Sequence, residues 1–182
     1  KLEPLEIFEV FNKQQNCFFL DSSLNSNYSL GRYSFLGIDP FFILKTKSDA
    51  PFEKLRELLN RYNVSIPKNN IPFLGGAVGY FAYDLGLTLE NKITRQAKED
   101  LGIPDSFFGF YNTIIIIDHL KKLLYIFSVG FPETNYRLAK LLCESNFKKI
   151  YNLLSKIGLT KTSAEKNRPR IHRQLSSNFS KE

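Results

Sequence analysis

The sequence contains no methionine and no tryptophan, and it has only two cysteines and two histidines in 182 residues. Cys17 and Cys143 lie in separate apolar stretches with no CxxC pair. This spacing argues against a zinc cluster and against a disulfide-stapled scaffold. We therefore expect two buried, unreactive thiols in a reducing compartment, the cytoplasm. Because a complete translation product begins with methionine, the start at Lys1 predicts a processed or excised piece of a longer protein.

Long apolar runs are also absent. The longest, "TIIIID" at residues 113–118, is far shorter than the ~20 residues that a membrane-spanning helix needs. No secretory signal peptide is visible at the start of the chain. The sequence therefore predicts no membrane association, and residues 113–118 are predicted to form a buried strand.

Positive charge exceeds negative charge, but most of the excess lies at one end. The net charge is +7, and residues 158–182 carry six Lys or Arg against two Glu. The other 157 residues carry nineteen basic and sixteen acidic side chains. This distribution indicates a solvated basic tail on a nearly balanced body, which is weak support for a nucleic-acid partner.

The periodicity of apolar residues predicts an alternation of helices and strands. Helices are predicted over residues 4–14, 50–64 and 134–157, with a helix-compatible polar region over residues 87–102. Asp49 is the predicted N-cap of the second helix. Strands are predicted over residues 17–22, 32–38 and 41–47, within 71–85, and as a hairpin over 107–130. Tight turns between successive strands favour antiparallel pairing, so the predicted class is α+β, with mainly antiparallel sheets flanked by helices.

The stretch "IPFLGGAVGYFAYDL" at residues 71–85 combines glycines with aromatic side chains. Its spacing fits neither a dinucleotide fingerprint nor a P-loop, and no lysine follows to meet a phosphate. Tyr80, Phe81 and Tyr83 could stack on bases, but no Lys or Arg lies between Pro72 and Leu89. The stretch is better explained as a central strand in which glycine lets a neighbouring backbone approach closely.

Two short polar stretches are candidates for ligand binding. Asp21 and Ser22 follow a predicted strand, where they could meet an ammonium group or simply cap the turn. Arg32 opens the next strand, where it could bind a carboxylate or form a salt bridge with Asp21. His119 is predicted to be exposed in a hairpin turn and His172 to lie in a linker, so no complete catalytic constellation is found.

Four strings in this order and spacing carry a family resemblance: "FFLDSSLNSNYSLGRYSFLGIDPF", "PFLGGAVGYFAYDLG", "IPDSFFGFYNTIIIIDH" and "VGFPE". Together they resemble the N-terminal domain of two chorismate-utilising enzymes, anthranilate synthase component I and aminodeoxychorismate synthase component I. The resemblance covers residues 5–157 of the chain. "FLDSS", "GYFAYDLG" and "GFPE" are more similar to the aminodeoxychorismate branch.

The resemblance implies a domain organisation. Residues 1–157 would be an N-terminal regulatory and scaffold domain, and residues 158–176 an interdomain linker. "SNFSKE", at 177–182, resembles the opening of the chorismate-binding catalytic domain. The chain alone would then be inactive, with no catalytic residue, metal ligand or cofactor of its own. The Mg²⁺ of the parent enzyme would be bound by that catalytic domain.

The resemblance also implies partners and a ligand pocket. The parent would be a transferase that aminates chorismate to 4-amino-4-deoxychorismate for p-aminobenzoate and folate synthesis. Its partners would be its own C-terminal chorismate-binding domain and a glutamine amidotransferase subunit. The N-terminal domain would contribute half of a pocket for an aromatic amino acid, tryptophan, with the ammonium group held near the acid and the serine that follow the first strand. The matching positions are Leu20, Asp21, Ser22, Arg32, Tyr33 and Ser34.

Two alternatives remain open from the sequence. The first is the same domain of anthranilate synthase, in which the pocket is the feedback site of tryptophan biosynthesis. The second is a small RNA-binding module with a basic tail, reading bases through Tyr80, Phe81 or Tyr83.

Overall fold

A computed structural model describes residues 3–22, 31–47, 50–63, 71–89 and 102–160. Within these ranges the chain forms helices and strands in an order close to the predicted one. The elements are α1 (Pro4–Phe11), β1 (Phe18–Leu20), β2 (Tyr33–Gly37), β3 (Phe42–Thr46), α2 (Pro51–Arg61), β4 (Gly76–Phe81), a 3₁₀ turn (Tyr83–Leu85), α3 (Gly86–Leu89), β5 (Ser106–Tyr111), β6 (Thr113–Asp118), β7 (Leu123–Ser128) and α4 (Tyr136–Thr160).

The strands form two sheets in which every pairing is antiparallel. A four-stranded sheet has the order β1-β2-β6-β7, and a three-stranded sheet has the order β3-β5-β4. With helices packed against both sheets, the predicted α+β class is confirmed.

The chain passes from one sheet to the other at Asn112, between β5 and β6. Its buried side-chain amide donates to the carbonyl of Phe131 at 2.6 Å, and its Oδ1 accepts from Thr113 Oγ1 at 3.0 Å. The single hairpin predicted over residues 107–130 is therefore wrong for its first part. β6 and β7 do form a hairpin, whereas β5 pairs with β3 and β4 in the other sheet. Because β-branched and aromatic side chains continue on both sides of Asn112, the sequence pattern did not indicate this crossing.

β6 is buried on both faces, which explains its run of four isoleucines. One face packs Ile115 and Ile117 against α1 and α4, while the other packs Ile114 and Ile116 into a second apolar cluster. A third cluster, of Leu44, Phe108 and Phe110, packs the three-stranded sheet against α2.

The helices begin close to the predicted residues. α1 starts with a capping box between Glu3 and Glu6, and Pro51 is the first residue of α2. The predicted cap Asp49 lies outside the described residues, and Ala50 occupies the N-cap with a positive φ of 43°. α3 lies in the polar region predicted as helix-compatible, of which residues 90–101 are outside the described ranges.

The apolar residues along α4 are only partly buried. Ile150 and Leu154 are 3% and 8% exposed, but Leu138, Leu141 and Phe147 are 51%, 62% and 45% exposed. The apolar side of α4 is therefore buried only where it contacts the sheet and α1. α4 also continues through Thr160, and the rest of the predicted linker lies outside the described residues.

β4, which contains the glycines of the 71–85 stretch, lies at the edge of its sheet and not in the centre. The close backbone approach is nevertheless present at Gly79. A Cβ there would lie 1.9 Å from the carbonyl oxygen of Phe107 and 2.6 Å from Cα of Phe108. Glycine is therefore required at this position by the neighbouring strand β5.

The two cysteines are free, as predicted, but both are half-buried and not fully buried. Cys143 Sγ lies 3.7 Å from the carbonyl oxygen of Ser128. Among the described helices, none combines the length and the apolar character needed to cross a membrane.

Candidate functional site

The predicted pocket residues meet where β1 ends, β2 begins and the turn after β6 passes beside them. Leu20 pairs with Phe35 across β1 and β2, so the residues after Leu20 run along the start of β2. The backbone N–H of Ser22 donates to Ser34 Oγ at 3.0 Å, and Ser22 Oγ donates to the carbonyl of Tyr33 at 2.7 Å. The chain after β1 is thereby fixed against β2.

Ser34 is the centre of this site and is fully buried. Its Oγ donates to Asp21 Oδ1 at 2.7 Å and lies 2.7 Å from His119 Nε2. A hydroxyl has a single proton to donate. Because Ser34 uses its single hydroxyl hydrogen in the hydrogen bond to Asp21, its Oγ is the acceptor in the other two contacts. The donors are the backbone N–H of Ser22 and the Nε2–H of His119.

The expectation that His119 is simply exposed is therefore wrong. The residue is half-buried, and its backbone N–H also donates to the carbonyl of Arg32 at 2.9 Å. Residues 119–122 do form a turn after a strand, as predicted. That strand, β6, pairs with β2, so the imidazole of His119 lies within hydrogen-bonding distance of Ser34. No local sequence signal identifies this contact across 85 residues.

Arg32 pairs with Asp118 and not with Asp21, the partner considered from sequence. Its Nε lies 3.1 Å from Asp118 Oδ1 and its Nη2 lies 2.7 Å from Asp118 Oδ2. This bidentate geometry fixes the orientation of the guanidinium. The Asp118 side chain is 1% exposed and that of Arg32 21% exposed. The guanidinium carbon also lies 4.8 Å from the centre of the Tyr33 ring.

This pairing changes the acidity of the groups involved. The hydrogen bond from Arg32 holds the pKa of Asp118 below its ordinary value, with further help from the backbone N–H groups of Lys121 and Leu120. The same hydrogen bond raises the pKa of Arg32. Burial raises the pKa of Tyr33. Asp118 is thus a buried anion that closes the β6–β7 turn and anchors the start of β2.

The six predicted positions are therefore brought together, but in different roles. Asp21 and Leu20 are exposed, whereas Ser34 is buried and Ser22 is half-buried. The Ser22 hydroxyl donates a hydrogen bond to the carbonyl of Tyr33. Ser34, opposite Ile117, and its partner Asp21 lie on the sheet face that packs against α1 and α4, whereas Leu20, opposite Phe35, lies on the other face. The site therefore presents an exposed carboxylate held by a buried hydroxyl.

The aromatics suggested as a base-stacking platform are engaged within the domain. Tyr80 stacks on Phe107 with ring centres 6.2 Å apart, and Phe81 packs against Phe52 at 4.8 Å. Tyr83 is 98% exposed in the 3₁₀ turn beyond β4, so it does not lie on the strand with Tyr80 and Phe81. These rings do not form one continuous surface. Over the described ranges, no cluster of three or more His, Cys, Asp and Glu side chains could hold a metal ion.

Comparison with known proteins confirms the resemblance. The chain is 28% identical over 139 residues to anthranilate synthase component 1 of Acetivibrio thermocellus, covering 68% of this chain and 28% of the relative. It is 40% identical over 99 residues to aminodeoxychorismate synthase component 1 of Klebsiella aerogenes, covering 54% of this chain and 21% of the relative. The chain thus spans about a quarter of the length of the curated relatives it matches. No family model matches it.

The fold is also similar to a solved structure. The crystal structure of anthranilate synthase component I from Streptococcus pneumoniae TIGR4 matches with a TM-score of 0.53 and 20% sequence identity. The match covers 82% of this chain and 35% of that chain. At this identity the likeness establishes the fold.

Proposed function

Because the homologues of this chain are the component I chains of anthranilate synthase and aminodeoxychorismate synthase, we propose that it is the non-catalytic N-terminal domain of a chorismate-utilising synthase. Of the two reactions, we propose the amination of chorismate to 4-amino-4-deoxychorismate, for p-aminobenzoate and folate synthesis. The strings "FLDSS", "GYFAYDLG" and "GFPE" support that branch.

The observation that supports a ligand-binding role is the hydrogen-bonded group of Ser34, Asp21, Ser22 and His119, called here the Ser34 centre. A buried hydroxyl orients the exposed carboxylate of Asp21, and the hydroxyl of the next residue, Ser22, donates to the carbonyl of Tyr33. We propose that these two groups hold the ammonium of an aromatic amino acid, tryptophan, through charge-assisted hydrogen bonds. Leu20 and Tyr33 would contact its ring.

Arg32 has a different part in this proposal. Its guanidinium is paired with Asp118, so Arg32 positions the start of β2. The carboxylate of the ligand would be bound by groups other than Arg32. The complementary half of the pocket would come from the chorismate-binding catalytic domain. We therefore expect the 182-residue chain to bind the amino acid weakly or not at all.

The proposed parent enzyme includes further parts. Residues 1–157 would form the regulatory domain, 158–176 a linker, and 177–182 the start of the catalytic domain. A glutamine amidotransferase would supply ammonia, in the cytoplasm. By the same resemblance, Mg²⁺ would be bound in the catalytic domain.

The test is the reaction of the gene product that carries this chain. The purified protein is incubated with chorismate, ammonia and Mg²⁺, and the products are separated by chromatography. We expect 4-amino-4-deoxychorismate from the longer gene product and no product from the 182-residue chain. Anthranilate would select the other branch, whereas no consumption of chorismate by the gene product, or turnover by the 182-residue chain, would contradict the proposal.

A further inference from the structure

A cavity lies at the opposite end of β6 from the Ser34 centre. It has a volume of about 200 Å³ and is lined by the end of α2, the segment leading into β4, the end of β5 and the segment after β7. The cavity and the Ser34 centre are separated by the length of β6, about 17 Å at ~3.4 Å per residue. None of the residues predicted for the amino acid pocket lines this cavity.

The walls are built from four aromatic rings that hold one another in place. Phe41 packs edge-on against Tyr62 at 5.0 Å, and Tyr62 packs against Phe131 at 5.4 Å. Phe110, 1% exposed, lies 6.0 Å from Tyr62 and 6.3 Å from Phe41. Edge-to-face contacts of this kind fix ring orientation, so the walls form a preorganised apolar surface.

The two adjacent glycines of the 71–85 stretch complete the wall. Gly75 and Gly76 have φ angles of +134° and +119°, a conformation that side chains of L residues rarely adopt. A Cβ on Gly75 would lie 3.0 Å from the carbonyl oxygen of Tyr111. At these two positions the wall opposite the rings is therefore backbone without side chains. This accounts for the Gly75–Gly76 pair, which has no part in the proposed amino acid pocket.

The chemistry of the lining restricts what can enter. Among the described residues that line the cavity, no side chain carries a formal charge. Their available polar side-chain groups are the Asn63 amide and the Tyr62 hydroxyl, since the Tyr111 hydroxyl already donates to the carbonyl of Asn16. Transfer of a charged group into such surroundings is costly. An apolar cavity of ~150 Å³ accommodates benzene, so about 200 Å³ admits a slightly larger planar molecule.

From these observations we propose that the cavity between α2 and Gly75–Gly76 is a binding site for a neutral, planar aromatic molecule of one or two fused rings. The ring lies against the wall that Phe41, Tyr62 and Phe131 form together. The Asn63 amide offers one hydrogen bond at the edge. The site is independent of the proposed function, because it uses neither Asp21 nor Ser22.

The test is an NMR titration of the 182-residue chain with quinoline, a neutral two-ring probe. We expect saturable shifts of the Leu74 and Val129 methyl signals and of the Gly75 and Gly76 amides, with a Kd of about 0.1–1 mM for a ligand of this size. Benzoate, a charged ring, should bind at least about tenfold more weakly. Absence of saturable shifts, or equal binding of benzoate, would overturn the proposal.

Matched variants locate the site. Leu59 lines the cavity on α2 and is 44% exposed, so Leu59→Trp can narrow the cavity without disturbing the core. We expect it to weaken quinoline binding at least about tenfold, and Val129→Phe to do the same from the opposite wall. Leu141→Trp, on an exposed leucine of α4, should leave binding unchanged, as should Asp21→Ala. Binding that survives both cavity variants, or that Asp21→Ala abolishes, would refute the assignment.

Discussion

Replacing Ser34 by alanine tests the arrangement at the candidate site. Ser34 is fully buried, and its hydroxyl makes hydrogen bonds to Asp21, His119 and the N–H of Ser22. Each such bond contributes about 0.5–1.5 kcal/mol net, and donors left without an acceptor add a desolvation cost. Because Asp21 is exposed, water replaces its lost partner. We therefore expect Ser34→Ala to lower the free energy of unfolding by about 2–3 kcal/mol.

Two other serines provide matched comparisons. Ser22→Ala removes one half-buried bond, to the carbonyl of Tyr33, and should cost about 1 kcal/mol. Ser155 is exposed on α4 and bonds only to the nearby carbonyl of Asn152, so Ser155→Ala should change stability by less than about 0.5 kcal/mol.

Urea denaturation followed by circular dichroism measures these differences. With a slope of about 2 kcal/mol per M, Ser34→Ala should lower the midpoint by about 1 M and Ser22→Ala by about half as much. A Ser34→Ala midpoint equal to that of Ser155→Ala would refute the hydrogen-bonded centre, because a buried hydroxyl with three partners cannot be removed at no cost.

Three further predictions concern stability and titration. Gly79→Ala should destabilise the domain by about 3 kcal/mol or more, because the added Cβ meets the β5 backbone, whereas Gly86→Ala has open space and should be neutral or slightly stabilising in thermal unfolding. Asp118→Asn should cost about 2 kcal/mol at pH 7. The pKa of Asp118 is lowered in the folded state, chiefly by Arg32, so its stabilisation is present above the ordinary value of 3.8 and lost as the pH falls below it. The gap between wild type and Asp118→Asn should therefore close in acid, and a gap independent of pH would contradict the ion pair. Burial raises the pKa of Tyr111 to about 12, so an ultraviolet titration of Tyr111→Phe should lack one phenol that ionises with this raised pKa. Loss of a phenol that ionises at the ordinary pKa of tyrosine would contradict the burial of Tyr111.

The sequence was sufficient to predict the class of fold and most elements, because each depends on a local pattern. The isoleucine run of β6 indicated a buried strand, and Pro51 marked the start of α2. The crossing at Asn112 was not predictable, since side chains of the same type continue on both sides of it.

The candidate site was predictable only in part for a related reason. Asp21 and Ser22 were singled out at the end of a predicted strand, whereas Ser34 was named only through the family resemblance. Their partners depend on the register between β2 and β6, which brings Asp118 to Arg32 across 86 residues and His119 to Ser34 across 85. The register between β2 and β6 cannot be read from composition or local patterns. For this reason the partner of Arg32 was not predicted, and His119 was expected to be exposed.

Binding of L-tryptophan by the gene product that carries this chain tests the central claim most directly. The 182 residues contain no tryptophan, so within this chain the fluorescence of the added ligand has no indole background. We predict saturable binding that Asp21→Ala and Ser22→Ala each weaken at least about tenfold, the equivalent of one charge-assisted hydrogen bond, while Ser155→Ala leaves it unchanged. Unchanged affinity in both Asp21→Ala and Ser22→Ala, or no saturable binding by the gene product, would contradict the account.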